Sequence, residues 1–223
     1  MNFEAAIFDM DGVIIDSEPF WQDEEVRVYN KYGLPVTLEQ TVTTRGLRTD
    51  EIVSHWMITF GREDIQKEEI LQELHAAIVK RVKQDATLLP GVIETMTLLK
   101  NMQLKIAIAS SSADQIIDAV VDAFELRPYL NATHSAYHER RGKPDPAVYI
   151  TTATLLGVSP QKCIAVEDSV NGMQAAKAAG MTCIVIPSDG REPRMAFEQA
   201  DLRVSSLLEL TKDILLSLHP LGV

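Results

Sequence analysis

Apolar and polar positions along this chain follow two alternating patterns. Short unbroken apolar runs, typical of strands buried on both faces of a parallel sheet, alternate with segments of helical periodicity. The runs predict strands at residues 4–9, 105–109, 132–135, 163–166 and 182–186, with a short return near 202–204. Helices are expected between them at residues 92–101, 113–124, 146–156 and 170–179, then a loop at 188–196 and a final helix at 206–216. This order predicts a doubly wound parallel α/β sheet with helices on both faces.

One long segment interrupts the alternation after the first predicted strand. Apolar residues recur at helical spacing throughout residues 18–85, and no part of this segment has a convincing strand pattern. We therefore expect a second, all-helical domain at residues 18–85, called the helical insert below. The α/β core would comprise residues 1–17 and 86–223. One connection would follow Gly12 and the other would lie near residues 88–90.

Composition and charge narrow the possible partners. The 223 residues are 46% hydrophobic, which is enough for a sizeable core. The formal net charge of −11, without a long basic run, argues against nucleic acids and anionic membranes as partners. No apolar run approaches the roughly 20 residues of a membrane span, and Asp9 and Asp11 interrupt the early one. Cys163 and Cys183 lie in apolar segments, so we expect reduced core thiols in a cytoplasmic protein.

Polar residues collect where the predicted strands end. In chain order they are Asp9, Asp11, Ser110, Lys143, Glu167 and Asp168. Because open α/β sheets bind ligands beyond the carboxyl ends of their strands, we expect these side chains to converge on one edge of the sheet. The alternative for each of them is a solvated loop or surface residue without a functional role.

The predicted cluster has the chemistry of a magnesium and phosphate site. Asp9, Glu167 and Asp168 would supply the hard oxygen ligands that Mg²⁺ prefers, and no histidine or cysteine joins them to favour zinc. Lys143 would bring a compact positive charge to a phosphate. The Ser110 hydroxyl and nearby backbone N–H groups could hydrogen-bond phosphate oxygens.

Two aspartates separated by one residue suit a reaction with a covalent intermediate. Mg²⁺ and a lysine would offset the repulsion between a carboxylate and a phosphate dianion, which leaves Asp9 able to attack phosphorus. Asp11 would then act as general acid on the leaving oxygen and as general base on water.

The run Asp9-Met10-Asp11-Gly12, with Ser110, Lys143 and Glu167-Asp168, resembles the four motifs of the haloacid dehalogenase superfamily. The resemblance covers the whole chain, including a helical cap inserted after the first strand. It implies that Asp9 is the phosphorylated nucleophile and that Asp11 is the acid/base. An aspartate at the second position indicates phosphoryl transfer, because dehalogenase members lack it.

The same resemblance implies a ligand set. Mg²⁺ would be bound by Asp9, the backbone carbonyl of Asp11 and Asp168, with Glu167 beside the metal as a ligand or as a neighbour of the ligands. The residues implied to hold the phosphoryl group are Ser110, Ser111 and Lys143.

Residues 9–19 and Gly46-Leu47-Arg48 are similar to the branch of β-phosphoglucomutase and small sugar-phosphate phosphatases, in particular to the hexitol and 2-deoxyglucose-6-phosphate phosphatase type. Trp21 stands where β-phosphoglucomutase carries a histidine thought to steer substrate over water, which favours hydrolysis. From the helical insert, Glu18 is expected to bind a sugar hydroxyl or bridge the two domains, and Arg48 to reach the non-reacting end of the substrate. The alternatives are a solvated helix start for Glu18 and a surface salt bridge for Arg48.

These observations predict a Mg²⁺-dependent phosphatase of small sugar or polyol phosphates, such as 2-deoxyglucose 6-phosphate or hexitol phosphates, acting through an aspartyl phosphate. The alternatives are a phosphomutase, a phosphoglycolate-type phosphatase and a phospho-receiver signalling module. A receiver would carry its nucleophile after a later strand and would lack a helical insert of this size. A monomer is expected, and none of the five histidines has ligand spacing.

Overall fold

The computed structural model describes residues 3–187 and 194–218. In these ranges six strands form one sheet: β1 (Ala5–Phe8), β2 (Lys105–Ser110), β3 (Ala132–Ser135), β4 (Cys163–Glu167), β5 (Thr182–Val185) and β6 (Leu202–Arg203). Their order across the sheet is β3-β2-β1-β4-β5-β6, and every neighbouring pair is parallel. The predicted doubly wound sheet is confirmed. The strand order reverses between β1 and β4, which is where such sheets bind ligands.

Helices connect these strands. They are α1 (Glu18–Lys31), α2 (Leu38–Thr41), α3 (Thr49–Thr59), α4 (Lys67–Asp85), α5 (Val92–Asn101), α6 (Asp114–Ala123), α7 (Ala147–Leu156), α8 (Val170–Ala178) and α9 (Lys212–Ser217). In the parts of the chain that the structure describes, none is both long and apolar enough to cross a bilayer.

The C-terminal part differs from the expected single helix at residues 206–216. A 3-10 turn, Leu207–Glu209, is followed by the separate helix α9. The reason lies in local caps: Ser206 accepts a hydrogen bond from the backbone of Leu208, and Thr211 accepts one from Ile214 and so begins a new helix. Of the expected loop at 188–196, residues 188–193 lie outside the described ranges, and Arg194–Phe197 form a 3-10 turn.

The sheet separates two apolar layers. Along β1, Ala6 and Phe8 face one layer and Ala5 and Ile7 face the other, as the two-residue period of a strand requires. All four are essentially inaccessible to solvent, so β1 is buried on both faces. The central strand therefore delivers the residue that follows it, Asp9, to a fixed position at the sheet edge.

The helical insert packs through its own apolar stripe. Ile70, Leu74, Ile78 and Val82 of α4 are buried, and α4 packs against α1, α3 and the core helix α6. The two chain segments that connect the insert to the core lie side by side. The backbone N–H of Leu89 in one donates to the carbonyl of Ile14 in the other over 2.9 Å. The all-helical character of the insert is confirmed, whereas its exact domain bounds stay a prediction.

Candidate active site

Three carboxylates meet at the carboxyl ends of β1 and β4. Asp9 follows β1, and its backbone N–H still donates to the carbonyl of Val166 in β4 over 2.9 Å. One oxygen each of Asp9, Glu167 and Asp168 lies within 4.8 Å of the others, and all three residues are buried. The structure thus brings together the acids expected to converge. We call these three residues the acidic rim.

Lys143 is the cation of the acidic rim. Its Nζ lies 2.7 Å from Oε1 of Glu167 and 2.9 Å from Oδ1 of Asp9, and it donates to the carbonyl of Ala109 over 3.1 Å. Burial alone would lower the pKa of Lys143, but the charges of Asp9 and Glu167 raise it above its ordinary value. The ammonium therefore remains charged in a site closed to solvent.

Glu167 has hydrogen-bond donors on both carboxylate oxygens. Besides Lys143, its Oε1 accepts from the hydroxyl of Tyr149 over 2.5 Å. Its Oε2 accepts from the backbone N–H of Asp168 and the hydroxyl of Ser169, over 3.2 and 3.3 Å. These contacts position Lys143. Tyr149 was not predicted, because the sequence shows only a polar atom on the buried face of the helix after Lys143.

Two glycines, which lack a Cβ, leave space for the side chains of the acidic rim. Gly12 has a φ of +75°, and a Cβ there would lie 2.1 Å from Oδ2 of Asp168. A Cβ on Gly172 in α8 would lie 2.0 Å from the carboxylate atoms of Glu167. Any side chain at either glycine would displace an acid.

The acidic rim carries more negative charge than its cations balance. Burial raises the pKa of Asp9 to about 7, although the charge of Lys143 lowers it. Burial also raises the pKa of Asp168 well above its ordinary value, although Arg45 lowers it. Because the donors are carboxylate oxygens and the acids are short of positive charge, the residues present fit a hard divalent cation such as Mg²⁺.

Asp11 lies beside the acidic rim and accepts three hydrogen bonds. Its Oδ1 accepts from the hydroxyl of Ser17 over 2.5 Å and from Nε1 of Trp21 over 3.0 Å. Its Oδ2 accepts from the hydroxyl of Ser112 over 2.7 Å. Trp21 belongs to α1, so the helical insert helps to hold this carboxylate. Ser17 and Ser112 were not predicted, because only the folded chain brings them to Asp11.

Ser110, the last residue of β2, and Ser111, which follows it, have different environments. Ser110 is fully buried, and its hydroxyl accepts from the backbone N–H of Ser112 over 3.0 Å. The hydroxyl of Ser111 donates to the carbonyl of Gly46 over 3.0 Å, and Ser111 lines the cavity above the acidic rim. Their predicted contact with a phosphoryl group stays a prediction.

A cavity of about 70 Å³ lies between the acidic rim and the helical insert. From the core it is lined by Asp9, Asp11, Ser111, Ser112 and Asp168, and from α1 by Glu18, Trp21, Gln22 and Glu25. Typical small-molecule pockets measure roughly 300–1,000 Å³, so this cavity is small by comparison.

The loop between α2 and α3 closes this cavity. Arg45 lies 2.5 Å from Asp168 and 3.3 Å from Glu18, and thereby links the core to α1. The side chain of Asn171 donates to the carbonyl of Arg45 over 3.1 Å. Arg45 was not predicted as a site residue, although it immediately precedes the Gly46-Leu47-Arg48 run.

Arg48 holds the same loop from another side. Its Nη1 donates to the carbonyls of Ala136 and Glu139, over 2.9 and 2.8 Å, and its Nε contacts Asp50. Arg48 is therefore buried at the contact between insert and core, and it is not among the described residues that line the cavity. The expected contact of Arg48 with the substrate stays a prediction. The position of Arg48 outside the cavity lining argues against that contact.

Known proteins are similar to this chain in sequence. Residues 6–186 match the family of haloacid dehalogenase-like hydrolases. Hexitol phosphatase B of Escherichia coli (strain K12) is 40% identical over 213 residues, covering 95% of this chain and 96% of that protein. Beta-phosphoglucomutase of Bacillus subtilis (strain 168) is 30% identical over 222 residues, covering 95% and 93% of the two chains.

A solved structure shows the same fold. The crystal structure of beta-phosphoglucomutase from Clostridium difficile matches with a TM-score of 0.84 at 22% identity, covering 96% of each chain. The predictions of superfamily and of a phosphatase enzyme are thus confirmed, and the chain belongs to the haloacid dehalogenase-like hydrolase family.

Proposed function

We propose that this phosphatase hydrolyses phosphate monoesters of small sugars or sugar alcohols through an aspartyl phosphate, with Mg²⁺ as cofactor. The observation that carries the proposal is the contact of Lys143 with Glu167 and with Asp9, which itself lines the cavity. This arrangement supplies a nucleophile and a fixed positive charge at one point.

The first half-reaction forms the covalent intermediate. An oxygen of Asp9 attacks phosphorus, the bond from phosphorus to the ester oxygen breaks, and Asp11 gives its proton to the departing alcohol. Ser17, Trp21 and Ser112 hold the carboxyl group of Asp11 in place for this transfer. Lys143 offsets the negative charge that accumulates between Asp9 and the phosphoryl group.

The second half-reaction returns the free enzyme. Asp11 takes a proton from a water molecule, whose oxygen attacks the phosphorus of the aspartyl phosphate. The bond between phosphorus and Asp9 breaks, and inorganic phosphate leaves. We expect the helical insert to exclude bulk water from the cavity while the intermediate forms, and to open when substrate enters and products leave.

The acidic rim would hold the metal. Asp9, Asp168 and the backbone carbonyl of Asp11 are the proposed ligands. Glu167 already has donors on both oxygens, which favours a place beside the ligands for this residue. When bound, Mg²⁺ supplies positive charge that lowers the repulsion between the carboxylate and the phosphate dianion.

Similarity to a beta-phosphoglucomutase makes a phosphomutase the second candidate. A mutase would return the phosphoryl group to a sugar hydroxyl instead of to water. Trp21, whose indole donates to Asp11, occupies the position expected of a histidine in that enzyme, and this favours hydrolysis.

A ³¹P NMR time course with Mg²⁺ tests both candidates. The substrates are sorbitol 6-phosphate, 2-deoxyglucose 6-phosphate, and glucose 1- and 6-phosphates. Release of inorganic phosphate supports the phosphatase, whereas exchange between glucose 1- and 6-phosphates without it supports the mutase. Asp9→Asn should reduce turnover below about one thousandth while the circular dichroism spectrum is retained. Substantial residual activity in that variant would contradict the covalent mechanism.

A further inference from the structure

One face of α1 is polar although it is covered by the rest of the protein. Glu18, Trp21, Gln22 and Glu25 recur at intervals of three and four residues, so they lie on the same face, and all four line the cavity. Gln22 and Glu25 are only 8% and 5% exposed. Burying a carboxyl group is costly, so a structural role alone would favour an apolar residue at position 25.

Glu25 is a buried acid without a cationic partner among the described residues. Within the described residues, it takes part in no ion pair, and the side chains that act on it are Glu18 and the hydroxyl of Tyr29. Burial raises the pKa of Glu25 to about 8, so at neutral pH the group is mostly uncharged. It can then both donate and accept a hydrogen bond, as a sugar hydroxyl does.

The position of Glu25 matches the far end of a substrate. The indole of Trp21 contacts Asp11, which fixes α1 against the acid/base. Glu25 lies one turn further along the helix, about 6 Å at 1.5 Å per residue. Because Asp11 lies at the reacting end and Glu25 lines the same cavity one turn of α1 away, we expect Glu25 to face the distal carbons of a short chain or ring.

The described residues around this end of the cavity favour a neutral ligand. Three threonines, at positions 41, 44 and 49, also line the cavity, together with Gly46, Leu47 and Ile52. Arg45 is the one cationic residue among the described lining residues, and it is already paired with Asp168 and Glu18. A second phosphate or a carboxylate would therefore meet the acids Glu18 and Glu25 and several hydroxyl groups, and Arg45 would have to leave Glu18 to balance its charge.

We infer that Glu25 and Gln22 bind hydroxyl groups at the non-reacting end of the substrate and select a neutral polyhydroxy chain over a second anionic group. This inference rests on the proposed function and deepens it. It predicts that the enzyme prefers hexitol and hexose monophosphates to sugar bisphosphates and to phosphoglycolate.

The test compares Glu25→Leu and Gln22→Leu with the unaltered enzyme on two substrates. Sorbitol 6-phosphate offers hydroxyls to α1, whereas p-nitrophenyl phosphate offers none. Each variant should lower the ratio of kcat/KM for sorbitol 6-phosphate to that for p-nitrophenyl phosphate by about 10-fold or more, because removing a hydrogen-bond partner of a hydroxyl impairs discrimination. Glu25→Gln, which keeps a donor and an acceptor, should retain most of the ratio.

The matched control is Asp23→Leu, which removes an acid from the same helix at a position that is 66% exposed. Its ratio should equal that of the unaltered enzyme. If Glu25→Leu fails to fold, Gln22→Leu decides the question alone.

Three results would overturn the inference: an unchanged ratio in a folded variant, an equal loss on both substrates, and a preference of the unaltered enzyme for bisphosphates or phosphoglycolate. Failure of the proposed function looks different. In that case the unaltered enzyme hydrolyses neither substrate, even with Mg²⁺ present.

Discussion

Lys143 and Glu167 form an ion pair with Nζ 2.7 Å from Oε1, and their side chains are 1% and 0% exposed. A charged pair in such a place is stable only if its remaining hydrogen-bonding groups are satisfied. Tyr149 and the backbone of Ala109 meet this need from two sides. The position of the lysine next to Asp9 thus depends on residues that do not contact the cavity.

Tyr149→Phe tests this dependence. The change removes one donor from Glu167, so we expect a loss of about 1–2 kcal/mol in the free energy of unfolding. We also expect kcat to fall roughly 3- to 10-fold, because Lys143 loses part of its support. Urea denaturation and steady-state kinetics measure the two effects.

Tyr129→Phe is the control, since Tyr129 is half-buried far from the acidic rim and should leave kcat unchanged. A normal kcat in Tyr149→Phe would mean that the tyrosine contributes stability alone.

Gly12→Ala should impair metal binding. The new Cβ would lie 2.1 Å from Oδ2 of Asp168, so this carboxylate must move. Gly61→Ala is a matched control, because Gly61 has a similar φ of +62° and nothing within 4 Å of its Cβ position. The left-handed backbone at each glycine should lower the free energy of unfolding of either variant by about 1–2 kcal/mol. Only Gly12→Ala should weaken Mg²⁺ affinity in calorimetry, by roughly 10-fold or more. Equal affinities in the two variants would refute this explanation.

Glu25 should make stability depend on pH. The folded protein holds its proton up to about pH 8, whereas the unfolded chain loses it near the ordinary pKa of 4.5. The unfolded state therefore binds fewer protons between these values, and the contribution of Glu25 to stability falls as pH rises. Glutamine has no proton to lose. We expect Glu25→Gln to be more stable than the unaltered protein by about 4 kcal/mol at pH 8, and by little at pH 4.5.

Thermal unfolding at the two pH values, relative to the exposed control Glu68→Gln on α4, measures this difference. The other acidic groups titrate in both proteins, so their contributions to the difference in stability cancel. A stability gap that does not widen toward pH 8 would falsify the assignment.

Arg48→Ala should loosen the contact between the helical insert and the core. The variant loses hydrogen bonds to the carbonyls of Ala136 and Glu139, so we expect faster amide hydrogen exchange in residues 42–48. Arg62→Ala, which removes an exposed arginine paired with Asp64, should leave exchange in that loop unchanged. Unaltered exchange in Arg48→Ala would show that other contacts hold the loop.

The sequence predicted those parts of the molecule that depend on neighbouring residues. The strands and the acids that follow them were found because apolar runs and their polar ends are local signals. Tyr149, Ser112 and Arg45 were missed, because each acquires its role only through a partner distant in the chain. The final helix was predicted too long, since the caps at Ser206 and Thr211 outweigh its apolar periodicity.

Arg45 joins Asp168 of the core to Glu18 of the helical insert. Closure and the charge state of the acidic rim are therefore linked equilibria, and the linkage is reciprocal. A cation that takes Asp168 from Arg45 weakens one bond of the closed form, and a substrate that strengthens closure alters the affinity for that cation. Both effects should diminish as ionic strength rises, because salt screens the ion pairs of Arg45 once water enters the cavity. In the proposed mechanism, opening would thus depend in part on the same carboxylate that would hold the metal.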